Sequence, residues 1–376
     1  MVDSPLVYLF ILALVSTFFY VLETRVKLKL FKYIPSIVMV YAFVMALASI
    51  GMFEYNTEIN NIYKLTKTNL LPAMIFLMLL QVDIRVFFKL GNKLIISYIL
   101  AVVSLGLSFI AVSFVFEFDA EMASAFGALC GSWMGGTANM VAVGSALEVS
   151  DSAFGYALIV DSFNYTLWVA MLLFLVPFAN VFNKFVDAKS VQSVASEIGC
   201  ACTIGAKRYW LLILLSLVVS FISQVIATNI TLISTTTTMV IVATLLGVLG
   251  SFTRFKELNG SVEVSSSMLY MLIALIGSKA VFESFAGVGM YVLAGFIILS
   301  LHALFMIIGA KLFKLDLFSI SVASLSNIGG IASAPILAAT YNKSLVSIGV
   351  MMAIMGYIIG TFGGLMVGNL LVWMSG

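Results

Sequence analysis

Two short runs of small and polar residues interrupt stretches that are otherwise apolar. They are Ser132-Trp133-Met134-Gly135-Gly136-Thr137-Ala138-Asn139 and Ser326-Asn327-Ile328-Gly329-Gly330-Ile331-Ala332-Ser333. Set with Ser132 on Ser326 they align without gaps, and the serine, both glycines and the alanine coincide. Paired glycines inside an apolar run point to a break in a membrane helix. Glycine tolerates φ > 0 and lets a ligand or another backbone approach. A peptide group left unpaired in hydrocarbon costs several kcal/mol, so such a break survives only where protein covers it or water lines it. The half-helices that meet there present free N–H groups toward anions and free carbonyls toward cations. Ser132, Gly135, Gly136, Thr137, Asn139, Ser326, Asn327, Gly329, Gly330 and Ser333 are therefore the candidate substrate-binding residues. Pro335 removes a further donor beside the second break. The competing explanation is close helix packing through small residues.

A third signal is Asp161, about ten residues into the apolar run that follows the first break. An acid near the bilayer centre costs about 2.5–3.5 kcal/mol on insertion scales, so it should face the protein interior. Asn164 and Trp168 follow at i+3 and i+7 on the same helix face. Asp161 is the candidate ligand of a coupling cation, Na⁺ or H⁺, with Asn164 as its neighbour; a structural hydrogen bond is the alternative. The matching stretch of the second half carries Tyr357 and Thr361 but no acid. His302, the sole histidine, is a lesser candidate for ion coupling, against the plainer role of a packed, hydrogen-bonded residue. With one histidine no multi-histidine metal site can form. No metal beyond a Na⁺ near Asp161 and no other cofactor is expected. No phosphate-binding glycine loop followed by Lys-Ser or Lys-Thr is present, which argues against an ATP-driven pump. No catalytic constellation appears, and the chain is not expected to be an enzyme.

The elements that must position these residues follow from composition. Of 376 residues 62% are hydrophobic and 10% charged. A soluble domain carries about 25% charged residues. The net charge of +2 gives no reason to expect nucleic acid as a partner. The cysteines Cys130, Cys200 and Cys202 form neither a zinc pattern nor a disulfide framework. Residues 5–22 lack a preceding basic region and read as a membrane helix, not a cleaved signal. Twelve apolar segments fall near 5–22, 36–53, 69–82, 94–116, 121–147, 152–182, 209–228, 235–252, 264–282, 288–312, 317–340 and 344–374. A spanning helix needs roughly 20 residues. The fold class is all-α integral membrane, with 12 or 13 crossings, multi-pass and placed in a bacterial cytoplasmic membrane.

A polar link at 183–208 divides the chain into a first repeat, 1–182, and a second, 209–376. Basic residues gather on the cytoplasmic side of short loops. Arg25, Lys27, Lys29 and Lys32 agree with Arg85, Lys89 and Lys93. Lys184, Lys189, Lys207, Arg208, Arg254, Lys256, Lys311 and Lys314 agree with one another but, by plain counting, lie on the opposite side. The charges favour inverted repeats; twelve plain crossings favour parallel ones. One crossing more or fewer between 94 and 208 reconciles them, and inverted repeats are the expectation.

The paired motifs, from Gly131 through Asn139 and from Ser326 through Gly330, resemble those of the YjcL-type membrane proteins, the family called domain of unknown function 819. The resemblance covers essentially the full chain. That family is grouped with the cation:proton antiporter and anion transporter superfamily. The resemblance implies inverted repeats with crossed discontinuous helices, an elevator-type core moving against a scaffold, and a homodimer. Core helices would span 94–182 and 288–374, scaffold helices 5–82 and 209–282. Sodium–proton antiporters usually carry an acidic pair after the first break, whereas here Asp161 stands with Asn164. The leading function is a cation-coupled secondary transporter of a small anionic or zwitterionic organic solute. A cation/proton antiporter is the alternative on the same fold. A membrane-embedded lipid-handling protein or enzyme, and a channel, are alternatives from other classes.

Overall fold

The computed structural model describes residues 1–26, 35–80, 82, 90–188, 205–230, 234–258, 260–280 and 288–376. Lys27, Lys29, Lys32, Gln81, Asp83, Arg85, Lys89, Lys189, Cys200 and Cys202 lie outside the described residues. Among those described the secondary structure is helical, apart from one isolated bridge between Val2 and Phe53. The helices are α1 (Pro5–Val21), α2 (Ser36–Ser49), α3 (Thr57–Leu79), α4 (Asn92–Phe116), α5 (Ala120–Gly135), α6 (Thr137–Ala146), α7 (Asp151–Leu175) and α8 (Ala179–Val186). They continue with α9 (Ala206–Asn229), α10 (Thr235–Ser251), α11 (Ser261–Lys279), α12 (Val288–Phe313), α13 (Leu317–Ile328), α14 (Gly330–Tyr341) and α15 (Val346–Met374). Among the described residues six stretches, α4, α7 with α8, α9, α11, α12 and α15, are long and apolar enough to cross a membrane. The chain is a multi-pass integral membrane protein.

Local chemistry sets the helix ends. Pro5 opens α1, where its missing N–H is no loss. Asn56 caps α3 by accepting from Ile59 N at 2.8 Å, and Asp119 caps α5 by accepting from Met122 N at 2.7 Å. The cap of α10 is Ser234, just before the four threonines, accepting from Thr237 N at 3.2 Å. Pro177 cannot donate, and the chain leaves α-helix for one 3₁₀ turn at Val176–Phe178 before α8 begins. The apolar run at 152–182 is thus two helices.

The chain forms two compact units. The first comprises 1–81, 148–162 and 201–288; the second comprises 82–147, 163–200 and 289–376. The boundary passes through α7, leaving Asp161 in the first unit and Asn164 in the second.

In the first unit α11 is the most enclosed helix and lies against α1, α2 and α3. Gly277 lets it approach α2: a Cβ there would stand 2.9 Å from the Tyr41 carbonyl oxygen. Gln224 on α9 donates to Asn69 Oδ1 on α3 at 3.1 Å, a polar clasp between two helices. At one end, Tyr8 donates to Ser278 Oγ at 2.5 Å, while the Ser278 hydroxyl donates to the Leu275 carbonyl. Tyr55 donates to the Ser278 carbonyl at 2.5 Å, and the Lys279 ammonium bonds Asn60 and lies 4.1 Å over the Tyr55 ring. Asp151 accepts from Tyr63 at 3.1 Å, and its carbonyl accepts from Tyr41 at 2.6 Å.

In the second unit α5 lies along α15 with almost nothing between the backbones. Glycines recur every fourth residue on both helices, Gly127, Gly131 and Gly135 against Gly356, Gly360, Gly364 and Gly368. This spacing places them on one face of each helix. A Cβ on Gly364 would stand 2.7 Å from Gly131 Cα, on Gly360 2.6 Å from Gly135 Cα, and on Gly368 3.2 Å from Gly127 Cα. In lipid there is no hydrophobic drive between helices, so close van der Waals contact of this kind holds them. The face extends α15 past both halves of the broken α5–α6 pair and onto α14, where Gly349 faces Ala334 and Pro335.

Gly364→Ala forces these backbones apart and should cost about 1–3 kcal/mol, the usual range for overpacking. Gly289→Ala, where a Cβ meets nothing within 4 Å, should leave stability unchanged to within about 0.5 kcal/mol. Thermal unfolding of both variants in one detergent checks the pair; equal midpoints would show that the glycine contact between α5 and α15 does not set stability.

Candidate functional site

Both motifs break their helices, and they do so at the equivalent glycine. Gly136 has φ 92° and ψ 172°, outside any region a side chain favours, and separates α5 from α6. Gly330, its counterpart, has φ 59° and opens α14 directly after α13. Neither α6 nor α14 has a side-chain cap. At α6 the Gly136 N–H bonds the Ser132 carbonyl at 2.6 Å and the Asn139 N–H the Gly136 carbonyl at 2.9 Å, and no side chain caps the remaining first-turn N–H groups of either helix. From Met122 through Ala146 the chain is otherwise largely buried, yet Gly136 and Thr137 are partly exposed; at the second break Gly329 and Ile331 are partly exposed and Ala332 is exposed.

One glycine of α15 brings the breaks together. A Cβ on Gly356 would lie 3.1 Å from Gly135 Cα and 3.7 Å from the Ser326 carbonyl oxygen. The end of α5 and the last turn of α13 thus flank the same point. The Gly135 Cα is also closed in by the Gly356 carbonyl and the Asn139 side chain. All of this lies within the second unit.

The two breaks differ in how their polar atoms are used. At the first, Asn139 donates to the Gly135 carbonyl at 2.8 Å and to the Gly356 carbonyl at 3.3 Å, and accepts from Thr361 at 2.6 Å. Its amide ties the severed ends of α5 and α6 to α15. At the second, Asn327 donates to the Ala323 carbonyl at 2.9 Å, but its Oδ1 has no partner among the described residues. Ser326 Oγ and Ser333 Oγ are also buried without one. Ser333 sits over Gly329, where the Tyr165 ring would stand 2.7 Å from an added Cβ. Leaving a buried polar atom unsatisfied costs about 1–3 kcal/mol. Three of them within eight residues is a concentration that packing does not explain.

His302 belongs to a hydrogen-bonded chain elsewhere in this unit. Trp168 Nε1 donates to Ser324 Oγ at 3.0 Å, and Ser324 Oγ lies 2.8 Å from His302 Nε2. His302 Nδ1 lies 2.7 Å from Ser104 Oγ, whose hydroxyl donates to the Ala101 carbonyl at 3.0 Å. With the Ser104 hydrogen on the Ala101 carbonyl, Ser104 accepts from Nδ1–H, so Nε2 accepts from the Ser324 hydroxyl, whose lone pair takes the Trp168 N–H. A neutral imidazole of that one tautomer satisfies every group in the chain and leaves no lone pair for an ion.

Asp161 and Asn164 occupy successive turns of α7. Asp161 is partly buried, and Asn164 is fully buried and donates to the Val292 carbonyl at 3.3 Å. Three residues near the breaks do not emerge from sequence reasoning: Gly356, Tyr165 and Ser324. The four-residue glycine spacing is the available sign for Gly356; nothing local marks Tyr165 or Ser324.

The chain is 23% identical over 355 residues to the uncharacterized membrane protein YjcL of Bacillus subtilis (strain 168), a match covering 88% of this chain and 87% of that protein. A relative of nearly equal coverage that is itself a membrane protein agrees with the apolar helices described above. Residues 10–374 match the family described as "Protein of unknown function (DUF819)", and the chain belongs to that family.

Proposed function

We propose that the protein is a cation-coupled secondary transporter of a small anionic or zwitterionic organic solute, working by alternating access at the paired breaks. The single observation that carries this reading is the set of buried, unpartnered atoms Ser326 Oγ, Asn327 Oδ1 and Ser333 Oγ at a helix break that faces a second break across Gly356. Uncapped N–H groups at α6 and α14 suit a carboxylate or similar anion. An unpartnered carbonyl oxygen such as Asn327 Oδ1 suits an ammonium group or a coupling Na⁺, since it can only accept. Both kinds of group at one place favour a solute that carries an anionic end. Gly135, Gly136, Thr137 and Ser132 would line the first side of the site, and Gly329 and Gly330 the second.

In this reading Asp161 on α7 holds the coupling cation and Asn164 positions it. His302 serves packing instead of coupling, because its hydrogen bonds are complete. In the elevator on inverted repeats that the family resemblance implies, core helices within 94–182 and 288–374 would move against scaffold helices within 5–82 and 209–282, and two copies would associate as a homodimer. No nucleophile–base set figures in the reading, and it does not require an enzyme. A cation/proton antiporter would use Asp161 differently, exchanging one ion for another there without an organic solute.

The test is a thermal-shift screen of the purified protein against organic anions and zwitterions, with and without Na⁺ and at two pH values. A ligand that binds only the folded state raises its apparent stability by about 2.7 kcal/mol at a hundredfold excess over Kd. Stabilisation that requires both solute and cation supports symport; stabilisation by cation alone supports the antiporter; none with any probe speaks against both.

Asp161→Asn should remove the cation dependence of ligand stabilisation while expression and folding persist. His302→Gln should keep that dependence, including its response to pH. Retained coupling in the first variant, or lost coupling in a folded second variant, would reverse these assignments.

The breaks make different demands on the backbone. Gly330→Asn should keep ligand binding within about tenfold, because Asn visits the left-handed region at modest cost. Gly136→Asn should abolish it, because φ 92° with ψ 172° is essentially closed to side chains. Equal affinity in the two variants, measured by ligand-induced thermal shift, would place the site elsewhere.

A further inference from the structure

The second unit carries a feature that the transport reading does not use. Helix α8 is amphipathic. Phe178, Val181, Phe182 and Phe185 succeed one another at i, i+3, i+4 and i+7, and so do Asn180, Asn183, Lys184 and Asp187. The apolar row borders a groove of about 440 Å³ whose other lining comes from α7, α12 and α13, Trp168 and Ser324 among it. The polar row borders a recess of about 1030 Å³ that also includes Lys93 and Lys314. The groove and the recess flank one short helix.

They meet at its C-terminal end. Lys311 bonds the Phe185 carbonyl, and its ammonium lies 4.9 Å over the Phe185 ring that lines the groove. Lys314 bonds Asp187 at 2.9 Å, both side chains being largely exposed, and this ion pair holds the Asp187 carboxyl below its usual range. Three lysines, Lys93, Lys184 and Lys314, line the recess against the single lining acid Asp187, and Lys311 stands beside Phe185. Asn183 is committed elsewhere, since its Oδ1 accepts from Leu317 N at 2.8 Å and so caps α13. That bond fixes α8 to the unit and keeps groove and recess in register.

We propose that α8 and its neighbours bind one anionic phospholipid of the surrounding membrane, with the phosphate headgroup in the lysine recess and an acyl chain in the apolar groove. The occupant is set by the two halves of the feature. A soluble organic anion has no use for a groove walled by phenylalanine, methionine and leucine. A zwitterionic lipid gains little from an excess of cations. A basic recess at the membrane surface beside an apolar slot is the arrangement that retains anionic lipid.

The test measures thermal stability of the detergent-purified full chain titrated with phosphatidylglycerol, phosphatidylcholine or glycerol 3-phosphate. Phosphatidylglycerol should stabilise saturably, and the effect should weaken with added salt as surface charges are screened. Phosphatidylcholine and glycerol 3-phosphate should not stabilise at the same concentrations. The combined variant Lys93→Gln, Lys184→Gln and Lys314→Gln should need at least tenfold more phosphatidylglycerol for the same shift. These side chains are at the surface, so its midpoint without lipid should match the wild type. Asp187→Asn should shift the titration the other way, toward tighter binding. Ala303→Phe, which fills the groove, should weaken phosphatidylglycerol while leaving the lysines intact. Equal stabilisation by phosphatidylcholine would overturn the headgroup assignment. An equal effect of glycerol 3-phosphate would make the recess a soluble-anion site. An unaltered titration in the lysine variant would reject the proposal.

Discussion

Everything in the second unit depends on α5 and α15 touching through their backbones. A helix pair normally keeps 8–10 Å between its axes because side chains interdigitate. Here Gly127, Gly131 and Gly135 meet Gly356, Gly360, Gly364 and Gly368 without side chains of their own, while Leu147, Val143 and Asn139 flank the contact. That contact fixes where α5 can end. Gly135 is trapped beside the Gly356 and Gly360 backbones, so the chain must turn at the next residue, and Gly136 is the one residue type able to turn there with φ 92°. The break is thus a consequence of packing as much as of local propensity. Remove the close approach and a continuous helix through residues 120–146 becomes competitive, since the residues after Gly136 are good apolar helix material.

The same contact explains why so many polar groups can exist at this depth. In hydrocarbon each exposed peptide group would cost several kcal/mol. The glycine face lets α15 cover the broken ends at van der Waals distance, and Asn139 and Thr361 then satisfy what the glycines leave open. The first break is sealed by this amide. The second has no equivalent seal: the position aligned with Asn139 is Ser333, whose shorter side chain reaches no partner, and Asn327 spends only its donor. An asymmetry of one side chain, Asn139 against Ser333, therefore separates a rigid half from a half with unused hydrogen-bonding capacity.

The sequence is most legible where composition conflicts with surroundings. Gly135-Gly136 and Gly329-Gly330 announce breaks because glycine pairs flanked by serine and asparagine have no use in a lipid-facing helix. The membrane class comes from the scarcity of charge. Less legible are features that need a partner helix to have meaning. Glycine at every fourth residue from Gly356 to Gly368 reads as ordinary membrane composition until the matching row on α5 is seen to face it. Residues 152–182 read as one apolar segment because hydropathy is blind to what Pro177 does to the hydrogen-bond ladder. Beyond it, α8 looks like a frayed helix end until its two faces are counted separately. Tyr165 and Ser324 carry no local sign at all, since their roles come from residues distant in the chain.

Completed and incomplete polar networks combine into a division of labour inside one unit. The completed ones, the Asn139 clasp and the chain from Trp168 through Ser324 and His302 to Ser104, hold helices in one arrangement, because breaking any member orphans its neighbours. Incomplete ones, at Ser326, Asn327 and Ser333, leave free energy to be gained from whatever enters. A site that is to bind and then release must keep its frame while its own contacts stay unmade. Ser324 lies two residues before Ser326 on α13, so the completed chain anchors the helix that carries the incomplete set. A carrier that closed around a solute would exchange the desolvation cost of three atoms for bonds to it, without disturbing the glycine contact that positions them.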